Sequence, residues 1–399
     1  MEELASFDAV MRSAFVGLSG INVSDDQWSQ AGRGFWCGGL GLRHTARHAS
    51  AAYVASCTAT RKLCQQLDPG FQWDGNSPGR PLLESITSLN AGLHPADRVA
   101  YDPEQIPRQQ DLSMRLDMVQ HEAYLDTLSV GDRASLLSEM LPGASGFLEA
   151  IPSKQLDLAW DPCEFLVELR TRLLVDVYAE EEWCQVCNGI SDCKGHHARK
   201  CAGGGDRVRR HNDVRNLIGR FAAEARQRPT LEKPGLLQPR PGQTNAQQRR
   251  PADIYLPSWQ GGQAAAFDVA ITSPQRLDIL PEASTRSGAA AAAYEVFKRD
   301  YLGTAADCQS HGIAFIPLIA ETSGGWGVSG ICTLKALART VAAQTNQTPQ
   351  RVLSEQLQFL GTAIRRANAR AVLRRDVAPV NLGTSAVASA AAVLVNQND

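Results

Sequence analysis

The 399-residue chain has no apolar run that reaches the ~18 residues needed to cross a bilayer. Its start, "MEELASFDAV", has neither the basic stretch nor the apolar stretch of a secretion signal. Both absences lead us to expect a chain that stays inside the cell. Ten cysteines in a reducing compartment read as thiols or metal ligands before disulfides. Residues 1–182 hold no nucleotide-binding glycine loop and no nucleophile motif, and no Y-x-D-D polymerase motif occurs anywhere. Large net charge is missing too: the balance is −2, which says nothing about partners. Composition, 43% hydrophobic and 21% charged, is that of an ordinary globular protein.

What is present is unevenly spread. Between Lys194 and Arg250 there are 14 Lys and Arg against 4 Asp and Glu. Such a block is the footprint expected for a phosphate backbone, although a solvated basic face would look the same. Apolar residues at three- and four-residue spacing in "ASAAYVASCTATRKLCQQL" and "DLSMRLDMVQHEAYLDTLSV" predict helices. "DRASLLSEML" opens on an aspartate N-cap, and "DPCEFLVELRTRLLVDVY" predicts a helix capped by Asp161 with Pro162 at its first position. The basic helix "DRVRRHNDVRNLIGRFAAEARQR" puts Val208, His211, Val214, Ile218, Phe221 and Ala225 on one face. A short strand at Leu236–Leu237, a hairpin over 252–271, a helix in "SGAAAAAYEVFKRDYLG" and a buried strand in "GIAFIPLIAET" follow. Residues 331–375 read as helical, and the last twenty as loosely ordered. Helix, strand, hairpin, helix, strand makes a small α/β core.

"CQVCNGISDCKGHHARKC" is the first candidate site. Cys184 and Cys187 form C-x2-C, and His197 and Cys201 form H-x3-C. Two such turns are what a tetrahedral zinc ion takes from two short pieces of chain. His196 has the alternative H-x4-C spacing, and Cys193 is a spare thiol that competes. The segment has too few large apolar residues to fold on a core of its own, so metal would supply the missing free energy. Four protein ligands leave no open position, so the zinc reads as structural.

The second candidate lies in "RRPADIYLP" and "AAFDVAIT", two strand-like runs that each carry one aspartate. If the turn "PSWQGGQ" centres on Gln260–Gly261, Asp253 pairs directly with Asp268. Alternation puts Ile254, Leu256, Phe267, Val269 and Ile271 on the core face and both aspartates on the other, beside Ala266 and Ala270. Opposed like charges are destabilising, and a Mg2+ ion would relieve them. A cation is then needed near the phosphate. Lys298, four residues after Tyr294 and three before Tyr301, falls on the helix face that should meet the sheet. Glu224 and His211, at or beside the inward face of the earlier helix, are further candidates.

The order of a C-C-H-C segment, "GGDRVRRHN", "RRPAD…FDVAIT" and a helical lysine resembles the C-terminal end of a non-LTR retrotransposon polyprotein. It is similar to elements that nick their target with a restriction-like endonuclease of the PD-(D/E)XK superfamily. Pro251 and Asp253 match the "PD" element with Ala252 inserted, and Asp268 matches the "D/E" element. Ala270 stands where a D-x-K lysine would be, and Lys298 is its relocated equivalent. "LSGINVSDDQWSQA", "GGLGLRHTARHASAAYVAS" and "GASGFLEAIPS" resemble the thumb and linker of such proteins, so the likeness runs from about residue 15 to 330.

The resemblance implies an α+β protein in four parts. These are a helical thumb/linker-like region (1–182), a CCHC zinc knuckle (183–206), a restriction-like endonuclease core (207–330) and a helical extension and tail (331–399). It implies zinc on Cys184, Cys187, His197 and Cys201, Mg2+ on Asp253 and Asp268, and catalysis by Asp253, Asp268 and Lys298, to which the helix face adds Glu224 as a further catalytic candidate. Target DNA would lie on Arg207, Arg209, Arg210, His211, Arg215, Arg249 and Arg250, with the element's RNA as a further partner. A reverse transcriptase module would belong to the same polyprotein, of which this chain would be a piece, in the nucleus. A non-catalytic nucleic-acid-binding remnant of such an element is the alternative. A zinc-stabilised protein-interaction module is a third reading.

Overall fold

A computed structural model describes residues 2–73, 80–238 and 251–375. The fold is α+β, mostly helical, and divides into two compact units between Leu128 and Ser129. No helix among the described residues is long and apolar enough to cross a membrane.

The first unit is all helical: α1 (Glu2–Ser19), α2 (Asp25–Gly32), α3 (Thr45–Leu67), α4 (Pro81–Ala91) and α5 (Gln109–Thr127). Ser24 and Gln27 form a reciprocal capping box at the start of α2. The predicted stripes of α3 and α5 close on α4, burying Ala51, Val54, Leu82, Ile86, Leu89, Leu112 and Leu116.

The second unit begins with α6 (Val130–Ser138), α7 (Gly146–Glu149) and α8 (Pro162–Arg172). Asp161 caps α8 as expected, accepting from the Cys163 and Glu164 N–H groups, with Pro162 at its first turn. The cap of α6 is Ser129 and not Asp132; the Asp132 N–H donates to the Ser129 hydroxyl. Next comes a small hairpin of β1 (Glu182–Trp183) and β2 (Ile190–Ser191), then α9 (His196–Lys200) and α10 (Asp206–Glu224). A four-stranded sheet follows in the order β3 (Thr230–Leu231), β4 (Ile254–Leu256), β5 (Ala264–Thr272), β6 (Ile313–Glu321). The first three strands are antiparallel neighbours. β5 and β6 are parallel, joined through α11 (Leu280–Ala283), α12 (Ala289–Asp300) and α13 (Thr304–Ser310). Two long helices, α14 (Val328–Thr345) and α15 (Pro349–Leu373), end the described chain.

The hairpin has the expected register. Ile254 faces Phe267 and Leu256 faces Ala265, so Asp253 falls in line with Asp268. Ile254, Leu256, Phe267 and Val269 are fully buried against Val214, Ile218 and Phe221 of α10 and against Leu334, Leu337, Leu360 and Ile364 of α14 and α15. The opposite face of the sheet packs Ala266 with Leu237 and with Cys308 of α13. Pro317, which has no N–H to give a ladder, is tolerated because β6 is an edge strand.

Three expectations are corrected. The short strand before the hairpin is Thr230–Leu231, and Leu236–Leu237 is a loop whose Leu237 fills the second core. Val208 is 63% exposed, and the inward position on α10 goes to Arg210, which donates to Asn368 of α15. The helical region does not end at 182, nor is 331–375 an appendage. α6 to α8 belong with the second unit, and α15 runs through its centre. The expected loose order of the last twenty residues lies outside the described residues.

The anchor of that centre is Arg365, which is fully buried. Its Nε donates to the Ser323 carbonyl at 2.8 Å and its Nη1 to Glu168 at 2.9 Å. Its Nη2 donates to Glu139, which also accepts from Arg172 at 2.7 Å. The guanidinium lies 4.6 Å from the centre of the Phe147 ring. Removing one partner of such a set strands buried charge and costs about 3–5 kcal/mol. Arg365→Met should therefore lower the unfolding free energy in urea by about that much. Arg351→Met, which breaks only an exposed pair with Glu355 on the same helix, should cost under ~1 kcal/mol. Equal losses in the two variants would refute the anchoring role.

Candidate functional site

The cysteine-rich segment folds around its own side chains. The β1–β2 hairpin presents Cys184 and Cys187, and α9 presents His197 with Cys201 at its end. Their ligand atoms all lie within 4.8 Å of one another. His197 Nε2 is 3.2 Å from Cys187 Sγ, and the Cys187 and Cys201 sulfurs are 3.5 Å apart. Such a group can hold a metal ion such as zinc. Burial alone would raise the Cys184 thiol, but the N–H groups of Val186 and Cys187 hold it down to about 6, favouring the thiolate a metal requires. Asp192 fixes the helix start, accepting from the His196 and His197 N–H groups at 3.0 and 2.7 Å. The histidine ambiguity resolves to His197, since His196 and Cys193 stand outside the group. Gly189 is required: a Cβ there would lie 2.7 Å from the His197 ring. The segment is not left to metal alone, because Ala198 packs on Val177, Tyr178 and Val372.

The second site is built where β4, β5, α10 and α12 meet. Asp253, one residue before β4, donates its N–H to Phe267 O at 2.9 Å. Its Oδ2 accepts from the Val269 N–H at 2.6 Å. It thus grips the chain on both sides of Asp268. Lys298, two turns into α12, places its Nζ 2.8 and 3.1 Å from the two Asp268 oxygens. Burial pushes Asp268 up to about 6; Lys298 pulls it down and Asp253 pushes it up further. Burial works against the Lys298 charge, but Asp268 outweighs it and leaves Lys298 above its ordinary value. Each of the two groups thereby favours the charged form of the other. His211 of α10 sits 3.2 Å from Asp253 Oδ1, and this bond raises its pKa against the effect of burial.

Comparison with family models and with curated proteins gives no match. The geometry of the second site departs from the expected magnesium pair. Asp268 spends both oxygens on Lys298. The group able to hold an ion is His211, Glu232 and Asp253, with ligand atoms within 4.8 Å of one another. Glu232 follows β3 with a left-handed φ of 50° and is paired with Arg215 at 2.5 Å. Glu224, the candidate from α10, is not brought here. It lies at the far end of the helix, thirteen residues or ~20 Å of rise from His211, paired with Arg220. A clue to Glu232 was present, since it is one of only four acids in the basic stretch. Asp206 of that set binds Arg374 and Arg375, and Glu224 faces outward.

Of the expected nucleic-acid contacts, Arg207 and Arg209 are exposed on α10. Arg210 is buried, and Arg215 is taken up by Glu232 and Asn216. Arg249 and Arg250 lie outside the described residues. If the four-residue group holds zinc, the purified chain should carry one zinc per molecule by elemental analysis. Cys187→Ser and His197→Ala should each lower that content at least tenfold, and Cys193→Ser should leave it intact. Retention of full zinc by Cys187→Ser would exclude this ligand set.

Proposed function

We propose that the second unit is the restriction-like endonuclease core of a non-LTR retrotransposon polyprotein, with the cysteine segment as its zinc knuckle. The proposed activity is metal-dependent hydrolysis of a DNA phosphodiester. The observation that carries the reading is the Lys298–Asp268 pair beside Asp253. Residues thirty positions apart meet at 2.8 Å, on the elements where the family resemblance requires them. The order helix, strand, hairpin, helix, strand from α10 to β6 supports it as well.

His211, Glu232 and Asp253 would hold the divalent ion, since their donor atoms already converge. When bound, such an ion lowers the pKa of a coordinated water and offsets charge on the phosphate. One imidazole among carboxylates shifts preference from Mg2+ toward first-row ions such as Mn2+. Asp268 fixes the Lys298 ammonium at a defined point, so that it steadies the charge gathering on the phosphate or holds the attacking water. Asp253 serves two ends at once. Its Oδ2 binds the β5 main chain, which leaves Oδ1 for His211 or the ion.

The second reading is a nucleic-acid-binding remnant without catalysis. One observation favours it: Asp268 is fully engaged by Lys298 and stands outside the ion-holding group. A supercoiled-plasmid nicking assay separates the two. Wild type should nick faster with Mn2+ than with Mg2+. Asp268→Ala and Lys298→Met should each slow nicking at least a hundredfold while retaining the wild-type circular dichroism. DNA bound but never nicked with either ion would leave only the remnant reading. His211→Ala should remove the Mn2+ preference and weaken Mn2+ binding by calorimetry at least tenfold, a result independent of turnover.

A further inference from the structure

A cavity of about 300 Å³ opens at the C-terminal end of β5, four residues past Asp268. Its cations are Arg199 and Lys200 of α9, Arg207 and Arg210 of α10, and Arg276 of the loop after β5. Thr272, Ser273 and Thr322 supply hydroxyls, Tyr294 supplies an aromatic face, and no carboxylate among the described residues lines it. Five cations converge on a wall without a carboxylate, although Asp278 holds Arg276 from outside it and Glu168 lies behind Arg199 and Arg210. Burial first, and then the nearby Arg207 and Arg199, hold the Arg210 pKa down to about 10 against the opposing pull of Glu168 and Asp206.

The two innermost arginines are buried and incompletely satisfied. Arg199 uses its terminal nitrogens on Thr171 and the Lys194 carbonyl, and Arg210 uses Nη1 on Asn368. The Nε–H of each is buried and donates to no atom of the described residues. An unpaired buried donor of this kind normally has a partner. Arg276 is held by Asp278 through Nε and Nη2, lies 5.2 Å from the centre of the Tyr294 ring, and turns Nη1 toward Thr272.

We propose that this cavity binds a backbone phosphate of the nucleic acid, a second one close along the strand to the one at Lys298. The spacing follows from the elements. Thr272 is four residues beyond Asp268 on the same face of β5, or ~13 Å of strand. Tyr294, one helical turn before Lys298 on α12, has its ring 5.9 Å from the Lys298 ammonium and so stands between the two points. Successive phosphates follow the outside of the helix and are farther apart than the ~3.4 Å axial rise, so that separation spans about two nucleotides of one B-form strand. The cysteine module thereby gains a role in the path of the strand, because α9 contributes Arg199 and Lys200 next to its metal ligands. This inference deepens the endonuclease reading and rests on it for the second phosphate, but its test does not use cleavage.

The test is fluorescence anisotropy with a 20-base-pair DNA duplex and the full chain, titrated at several salt concentrations without divalent ion. Lys200→Gln, Arg207→Gln and Arg276→Gln are combined in one variant, because these three reach solvent and folding rests less on them. Its zinc content and melting temperature are checked against wild type. Affinity should fall at least tenfold near 0.1 M salt, and the slope of log K against log salt should become shallower by about 1. Arg351→Gln, exposed elsewhere on α15, should change neither. A combined variant that binds like Arg351→Gln overturns the proposal. So does a melting-temperature rise with inorganic phosphate that the combined variant loses while its DNA binding is unchanged, since the cavity would then serve a free phosphate. If the triple variant misfolds, Arg207→Gln alone must still flatten the salt slope. Tight DNA binding without nicking would refute the enzyme and leave this subsite standing. Nicking by wild type with an unchanged triple variant would do the reverse.

Discussion

The guanidinium of Arg365 is the constraint on which the second unit depends. It is buried on α15 and holds Glu139 after α6, Glu168 of α8 and the Ser323 carbonyl after β6 in one set of hydrogen bonds. Each acid is far from it in sequence, so the set can form only when α15 is threaded between them. Buried charges of this kind add little net stability compared with an apolar core, but they tolerate only one geometry. That geometry fixes where the β6–α14 loop and α15 lie. α15 in turn positions α9 through Val372 and α10 through Asn368. The cysteine module and the helix that carries His211 are therefore both referred to the same buried ion set.

Local chemistry was readable where the cause is local. Asp161 followed by Pro162 starts a helix because a short carboxylate can accept from the first free N–H groups and proline has none to lose. The hairpin register followed from the symmetry of its turn and from alternation, and it put Asp253 and Asp268 together. Helical spacing offered Lys298 as the cation through Tyr294 and Tyr301, and of these only Tyr294, one turn earlier, shares its face of α12; Tyr301 is exposed past the helix end. The C-x2-C and H-x3-C spacings likewise identified the four-residue group, and the fold chose between two adjacent histidines.

What could not be read was set at long range. Arg210 is buried in place of Val208 because Asn368, more than 150 residues later, offers it an acceptor. No periodicity within α10 contains that fact. The boundary at Leu128 was hidden for the same reason: α6 to α8 have the periodicity of the helices before them, and only their partners differ. Glu232 was missed because it sits in a left-handed turn after a two-residue strand, where neither alternation nor helical spacing points a side chain. Glu224 was chosen instead because a helix face is predictable, although its neighbour in space turned out to be Arg220.

The parallel pairing of β5 and β6 has one more consequence. The two strands are joined by a crossover of some forty residues, and the crossover contains α12. Lys298 thus reaches Asp268 only when α12 folds back on β5, a loop closure of thirty residues whose entropic cost is repaid by contacts distant in sequence. A nascent or partly opened chain carries Asp268 on its strand without its cation. The charge pair therefore exists only in molecules in which α12 has docked on its sheet.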